Sequence, residues 1–208
     1  MKIFDISMQI DRDMPVYQNR SEKKPVIRVV SDYTQGHSYE SRITLNMHTG
    51  THVDAPLHML ERGDSVDRID LNRLITPCKV VDLSAVSGQI TAADFVGQTI
   101  APGDFILCKT KNSTQSGFVN DFVYLDRDGA RYLCERQING VGIDSLGIER
   151  DQPEHATHKL LLEAGIIILE GLRLSGINPG AYLLIAAPLK IAGAEASPVR
   201  AVLLEPLH

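Results

Sequence analysis

The chain has 208 residues, 43% of them apolar, which is enough material for one core of generous size and excludes a disordered chain. Twenty-one basic against 26 acidic residues leave a net charge of −5, so the basic patch that nucleic-acid binding requires is not expected. No run of about 18 apolar residues occurs, and Asp5 arrives before any signal-peptide core can form; the expectation is a soluble, cytoplasmic protein with no membrane partner.

Taken in chain order, short aliphatic or β-branched runs bounded by Gly, Pro, Asp or Asn predict strands at residues 2–6, 26–30, 79–83, 104–109, 141–144, 166–169, 182–186 and 199–204. Residues 39–47 alternate, with Ile43, Leu45 and Met47 on one face and Glu40, Arg42, Thr44 and Asn46 on the other. Helical signals are fewer. Thr91 followed three residues later by Asp94 predicts a short helix with a capping box. Residues 126–137 and 153–164 read as two longer helices, the first with Asp126 near its start and the second closed by Gly165.

Many strands with about three interspersed helices predict a mixed α/β, strand-rich fold, and with no linker or repeat, one domain over residues 1–208. Strands and helices do not alternate strictly, and neither GxGxxG nor a P-loop occurs, so no nucleotide cofactor is expected. Cys78, Cys108 and Cys134 form no CxxC pair and read as reduced, packed thiols. No Gly-x-Ser-x-Gly elbow supports a serine hydrolase.

The chemistry concentrates in residues 46–58. Three of the seven histidines, His48, His52 and His58, lie there with Asp54. Imidazole and carboxylate are the donors that bind zinc, manganese or iron without thiolates. A helix does not fit: Thr49, Gly50, Thr51 and Val53 are poor helix formers and Pro56 blocks continuation. In an extended chain all four side chains sit at even positions, so they are expected to continue the polar face of the preceding strand, with Gly50 allowing the bend that closes them round an ion. Further on, Glu170 ends the apolar run 166–169, and a carboxylate closing a buried strand needs a partner; a metal is a good one. His158, on a predicted helix, reads from local sequence as a capped or surface residue; His155, three residues earlier, is near enough to be its neighbour but reads as solvent-facing.

The run His48-Thr-Gly-Thr-His52-Val-Asp54-Ala-Pro56-Leu-His58 closely resembles the signature of the cyclase family of metal-dependent hydrolases, which includes bacterial kynurenine formamidases (arylformamidases) and isatin hydrolases. His158-Lys-Leu-Leu-Leu, Glu170-Gly-Leu172, Ala187-Pro-Leu-Lys190 and Pro198-Val-Arg200 resemble its downstream elements, so the likeness spans most of the chain. It implies the swivelling β/β/α fold and a centre of one or two divalent ions, Zn²⁺ or Mn²⁺. It also implies that His48, His52 and Asp54 ligate the first ion, that Asp54 bridges to a second held by His158 and Glu170, and that His58 is the catalytic acid/base. A carboxylate has two oxygens and can bridge two cations, which agrees with the role of Asp54.

One run departs. Formylkynurenine-cleaving members carry a Pro-x-Trp-Pro-Gly-Asp-like segment, where this chain has Pro15-Val-Tyr17-Gln-Asn-Arg20 and no Trp anywhere. Tyr17 is the candidate substrate contact in that segment. The expected activity is hydrolysis of an amide or formamide C–N bond in a small molecule, arylformamidase-like. The alternatives are a lactam or lactone substrate on the same centre, or a non-catalytic binding protein, against which an intact His58 speaks. Residues 11–24 are polar and long for a loop. In relatives such a segment completes the active site at a subunit interface, so a homo-oligomer, most simply a two-fold dimer, is expected.

Overall fold

In the computed structural model, which describes residues 2–150 and 152–205, most of the apolar runs become strands of one nine-stranded sheet. The strands in chain order are β1 (Ile3–Asp5), β2 (Val26–Ser31), β3 (Glu40–Thr44), β4 (His52–Asp54), β5 (Ile75–Asp82), β6 (Gln89–Ile90) and β7 (Phe105–Lys109), followed by β8 (Tyr124–Leu125), β9 (Gly140–Ile143), β10 (Ile167–Glu170), β11 (Gly180–Ile185), β12 (Ala196–Pro198) and β13 (Val202–Leu204). The large sheet runs β1-β13-β11-β5-β7-β9-β10-β4-β12, while β2 with β3 and β6 with β8 form separate pairs. Strands β5, β7, β9 and β10 are parallel and the flanks are antiparallel.

The parallel centre is apolar on both faces because both are covered. On one face Val81, Ile106, Val141, Ile143 and Ile168 pack with Leu133 and Leu161 from two helices, α1 (Arg127–Glu135) and α2 (Ala156–Glu163). On the other, Val80, Phe105, Leu107 and Leu169 pack with Leu184, Leu203 and Val53. Asp126 caps α1 by accepting from Gly129 N at 2.7 Å. The capping box at Thr91 and Asp94 forms as read, but the four residues it starts, Ala92–Phe95, close only a 3₁₀ turn. The segment 153–164 divides into a 3₁₀ turn (Pro153–His155) and α2, with Glu154 and His155 in the left-handed region (φ 60° and 54°).

Four further expectations change. The run 199–204 keeps only its last residues as β13, and a separate strand, β12, precedes it. Strand β5 starts at Ile75, four residues before the predicted position; Pro77 pairs with β11 and lies ahead of the stretch, from Cys78 onward, that pairs with β7. The alternating segment 39–47 is strand only to Thr44, and its apolar side is not buried: Ile43 is 49% exposed in a hairpin with β2. Consequently the polar face of β3 does not run on to the histidines; a turn over residues 47–50 intervenes.

Cys78, Cys108 and Cys134 are free thiols, the first two buried, and burial pushes the Cys78 thiol up to about 12. That is the opposite of what a nucleophile needs. Among the described residues no helix is long and apolar enough to cross a membrane.

Candidate metal centre

Sheet register brings the site together. Strand β4 lies between β10 and β12, and His52 stands directly across from Glu170. Asp54, two residues on, projects from the same face, while Val53 between them enters the core beneath. Both His52 and Asp54 are fully buried. The turn before β4 brings His48 back over them, with Gly50 at φ +65° in the region that favours glycine. The approach of this turn to the end of β10 is close: a Cβ on Gly171, itself at φ +70°, would clash with the Gly50 carbonyl oxygen. After Asp54, Pro56–His58 form a 3₁₀ turn that brings His58 round, its ring centroid 4.2 Å from that of His48 and 5.5 Å from that of His158. His158 arrives from the first turn of α2.

The distances define a tight array. Asp54 Oδ1 lies 3.0 Å from His48 Nδ1 and 3.5 Å from His52 Nε2, and Asp54 Oδ2 lies 3.5 Å from His158 Nε2. Glu170 reaches His52 Nε2 through Oε2 and His158 Nε2 through Oε1, each at 3.3 Å. Asp54 therefore turns one oxygen toward His48 and His52 and the other toward His158. Ligand atoms of His52, Asp54 and Glu170 all lie within 4.8 Å of one another, and so do those of His48, Asp54 and His58.

This donor set fits a divalent cation. Asp54 Oδ1, Asp54 Oδ2 and His52 Nε2 are buried without a hydrogen-bond partner among the described residues. Buried polar atoms left so cost about 1–3 kcal/mol each, and a cation accepting their lone pairs removes that cost. The tautomer of His52 is already set for it: Nδ1 donates to the Gly50 carbonyl at 2.9 Å, leaving the Nε2 lone pair facing the cluster.

Electrostatics agree. Burial works to raise the Asp54 carboxyl, but His158 and His48 outweigh it and hold the group well below the ordinary carboxylate range. Burial and the Asp54 charge work on Glu170 in the same upward sense, and His158 and His52 bring it down to about 2. Both carboxylates are thus ionised and ready to ligate. Against the effect of burial, the same carboxylates raise His52, and with Glu149 they raise His158 well above its ordinary value. His58 goes the other way: burial, with His48 and His158 nearby, lowers it.

A cavity of about 300 Å³ opens over the cluster, and His48, His58, His158 and Glu170 all reach its wall. Pro15, Val16, Tyr17 and Lys23 from the long N-terminal segment form another part of that wall. Tyr17 is half-buried in an aromatic group, its ring centroid 5.3 Å from that of Phe118 and 6.3 Å from that of Phe122. The six predicted polar residues therefore converge, and Tyr17 shares their cavity.

Local sequence reasoning missed three neighbours. Glu149 is buried against His155 and His158. His155, although its side chain is 59% exposed, is not simply solvent-facing, since its Nδ1 bonds Glu149 Oε1 at 2.6 Å on the cavity wall. Glu195, just before β12, puts Oε1 3.6 Å from His48 Nε2. None lies in the histidine-rich run, and no periodicity marks them.

The comparisons with known proteins agree with this architecture. The family model "Putative cyclase" matches residues 4–150, and the chain belongs to the cyclase family. A kynurenine formamidase of Salinibacter ruber is 33% identical to it over 207 residues, covering 98% of this chain and 97% of that protein. A solved structure described as a "Potential Metal-Dependent Hydrolase With Cyclase Activity" is 48% identical, with a TM-score of 0.92 over 99% of both chains. Isatin hydrolase A of Labrenzia aggregata is 28% identical, with a TM-score of 0.86 over 97% of this chain and 93% of its own.

Proposed function

We propose that this protein is a metal-dependent hydrolase that opens an acyl C–N bond in a small molecule, with aryl formamides as the substrate class. The observation that carries the reading is the group of orphaned donors on Asp54 and His52, buried beside Glu170 and His158 under an open cavity. His48, His52 and Asp54 would hold one ion, and the other oxygen of Asp54 with His158 and Glu170 a second; imidazole and carboxylate donors suit Zn²⁺, with Mn²⁺ the alternative. A divalent cation there supplies Lewis acidity and lowers the pKa of water toward about 7. His58 takes a proton from the attacking water at an imidazole nitrogen as the oxygen bonds to the acyl carbon. It then returns the proton to the nitrogen as the C–N bond breaks, leaving a carboxylic acid and an amine. Tyr17, backed by Phe118 and Phe122, offers an aromatic face to an aryl group. The names of the relatives, a formamidase and an isatin hydrolase, support the acyl C–N class.

The test is a hydrolysis screen of protein loaded with Zn²⁺ or Mn²⁺ against aryl formamides, alkyl formamides, isatin-like lactams and lactones. We expect aryl formamides to give the highest kcat/KM, at least tenfold above lactones, and a chelator to abolish turnover. Failure to cleave any amide or formamide would overturn the reading. A preference for isatin-like lactams would move the substrate class while leaving the chemistry.

We further propose that the chain works as a two-fold dimer that covers the β2–β3 hairpin with a second copy. Val26, Val29, Val30, Tyr33, Tyr39 and Ile43 are 45–73% exposed on this hairpin. A two-stranded ribbon is marginal in water without a packing partner, and apolar patches of this kind mark interfaces. Sedimentation velocity at micromolar concentration should give a dimer, and V29E/I43E, altering one face of the hairpin, should shift it to monomer. A wild-type monomer at that concentration would sink the proposal.

A further inference from the structure

The loop that follows β9 does more than connect. Ile148 N donates to Glu170 Oε1 at 2.5 Å, and Gly171 N donates to the Ser145 carbonyl at 2.7 Å, so this loop pins the end of β10 where Glu170 sits. The next residue, Glu149, turns its carboxylate to the start of α2. Its Oε2 accepts from Thr157 N at 2.9 Å and His158 N at 3.3 Å, two first-turn donors that no side chain of the N-cap residue serves. Its Oε1 accepts from His155 Nδ1 at 2.6 Å and lies 3.1 Å from His158 Nδ1. That last contact is close but not aligned as a hydrogen bond, and among the described residues His158 Nδ1 has no other partner.

We infer that Glu149 is the positioning residue of the second ligand pair: it fixes the start of α2 and keeps the proton of His158 on Nδ1, so that the Nε2 lone pair faces Asp54 and Glu170. The inference rests on the proposed ligation by His158. The chemistry is one-directional. A buried carboxylate beside Nδ1 can only accept, so a neutral His158 places its proton there and presents Nε2 to the ion. Two adjacent residues of one loop, Ile148 and Glu149, thereby hold the two members of the pair, Glu170 and His158, from behind. Glu149, His155 and His158 also lie close enough to be a metal group in their own right. The 2.6 Å bond from His155 to Glu149 and the position of His158 Nε2, 3.3 Å from Glu170 and 3.5 Å from Asp54, favour the positioning role.

The substitution Glu149→Gln separates the two duties of the residue. A glutamine oxygen can still accept from Thr157 N, whereas its NH₂ beside His158 Nδ1 donates and favours the tautomer with the proton on Nε2, which cannot ligate. Ions bound per chain, and the affinity of each, would be measured by Zn²⁺ titration against a competing chelator. We expect wild type to bind two ions, and E149Q to weaken the second about 10- to 100-fold with the first unchanged. The melting temperature of metal-free E149Q should stay near wild type, and H155A should bind both ions as wild type does. In ¹⁵N-histidine spectra of the zinc-loaded wild type, His158 should carry its proton on Nδ1, a readout independent of whether any variant folds.

Unchanged second-ion affinity in E149Q, or a His158 proton on Nε2, would overturn the inference while leaving the two-ion reading. A loss in H155A equal to that in E149Q would overturn it in favour of a separate site on the Glu149 cluster. A wild type that binds one ion only would bring down the second ligand pair itself, and the inference with it.

Discussion

Replacing His58 by alanine should lower the turnover number by about 10²- to 10⁴-fold and leave the metal content near that of wild type, as removal of a general acid–base group does. The geometry makes this a demanding experiment. The His58 ring lies tilted against that of His48, centroids 4.2 Å apart, and its ligand atom comes within 4.8 Å of those of His48 and Asp54, so ligation lies within its reach. Two features argue for the acid/base role instead. His58 is only half-buried on a 3₁₀ turn at the cavity wall, whereas His52 is fully buried on a strand with its tautomer fixed by the Gly50 carbonyl. Burial, with His48 and His158 beside it, also lowers the pKa of His58 below its ordinary value. A lowered pKa keeps the ring neutral, and able to accept a proton, at a pH below 6.5. The acid limb of the kcat profile that reports it, along which activity falls as pH falls, should lie below that value, and H58A should lose this limb. Metal analysis together with kcat decides the matter: release of metal from H58A would make His58 a ligand, and full activity would require another base.

His52→Ala should lose metal and activity together, with residual turnover at the level of chelator-treated wild type. His52 sits where both carboxylates meet, 3.5 Å from Asp54 and 3.3 Å from Glu170. Truncation therefore removes a donor and leaves His158 as the one imidazole that both buried carboxylates still face. Weakening the pairing of two buried charges is destabilising, so a lower melting temperature should accompany the lost metal. Equilibrium dialysis with Zn²⁺ followed by metal analysis gives the first quantity and thermal unfolding the second. Retention of metal and at least a tenth of wild-type activity in H52A would remove His52 from the centre. Metal affinity in the wild type should rise with pH, because His52 and His158, both raised by the carboxylates, give up protons when Nε2 turns to an ion.

The site was legible to different depths in the sequence. His48, His52, Asp54 and His58 stand out because donor types of one chemistry crowd a segment that Gly50 and Pro56 forbid to be helical. The reason first read for their convergence, a single polar strand face, holds only for His52 and Asp54. His48 comes from a turn and His58 from a 3₁₀ turn. Glu170 announced itself as a charge at the end of an apolar run. His158 did not, since a histidine on a short helix is ordinary, and only its likeness to the family's downstream element singled it out. Glu149 and Glu195 carried no signal, because each matters only through what folds against it.

The apolar runs were sufficient to place most of the nine-stranded sheet and the two helices, since burying β-branched and aliphatic residues is a local preference that any packing of this chain must satisfy. Strands as short as β6, β8 and β12, two or three residues each, carry too little pattern to be read and exist only because a neighbour supplies their hydrogen bonds. The alternation of residues 39–47 told which side chains share a face and nothing of what covers it, and Ile43 ended half-exposed. So the donor types were written in the local order of residues. Which oxygen of Asp54 meets which imidazole, and what stands behind His158, was left to the pairing of β4 with β10 and the docking of α2. The pairing of β4 with β10 joins residues more than a hundred positions apart, as His52 and Glu170 are, and spacing along the chain holds no information about distances closed by the sheet.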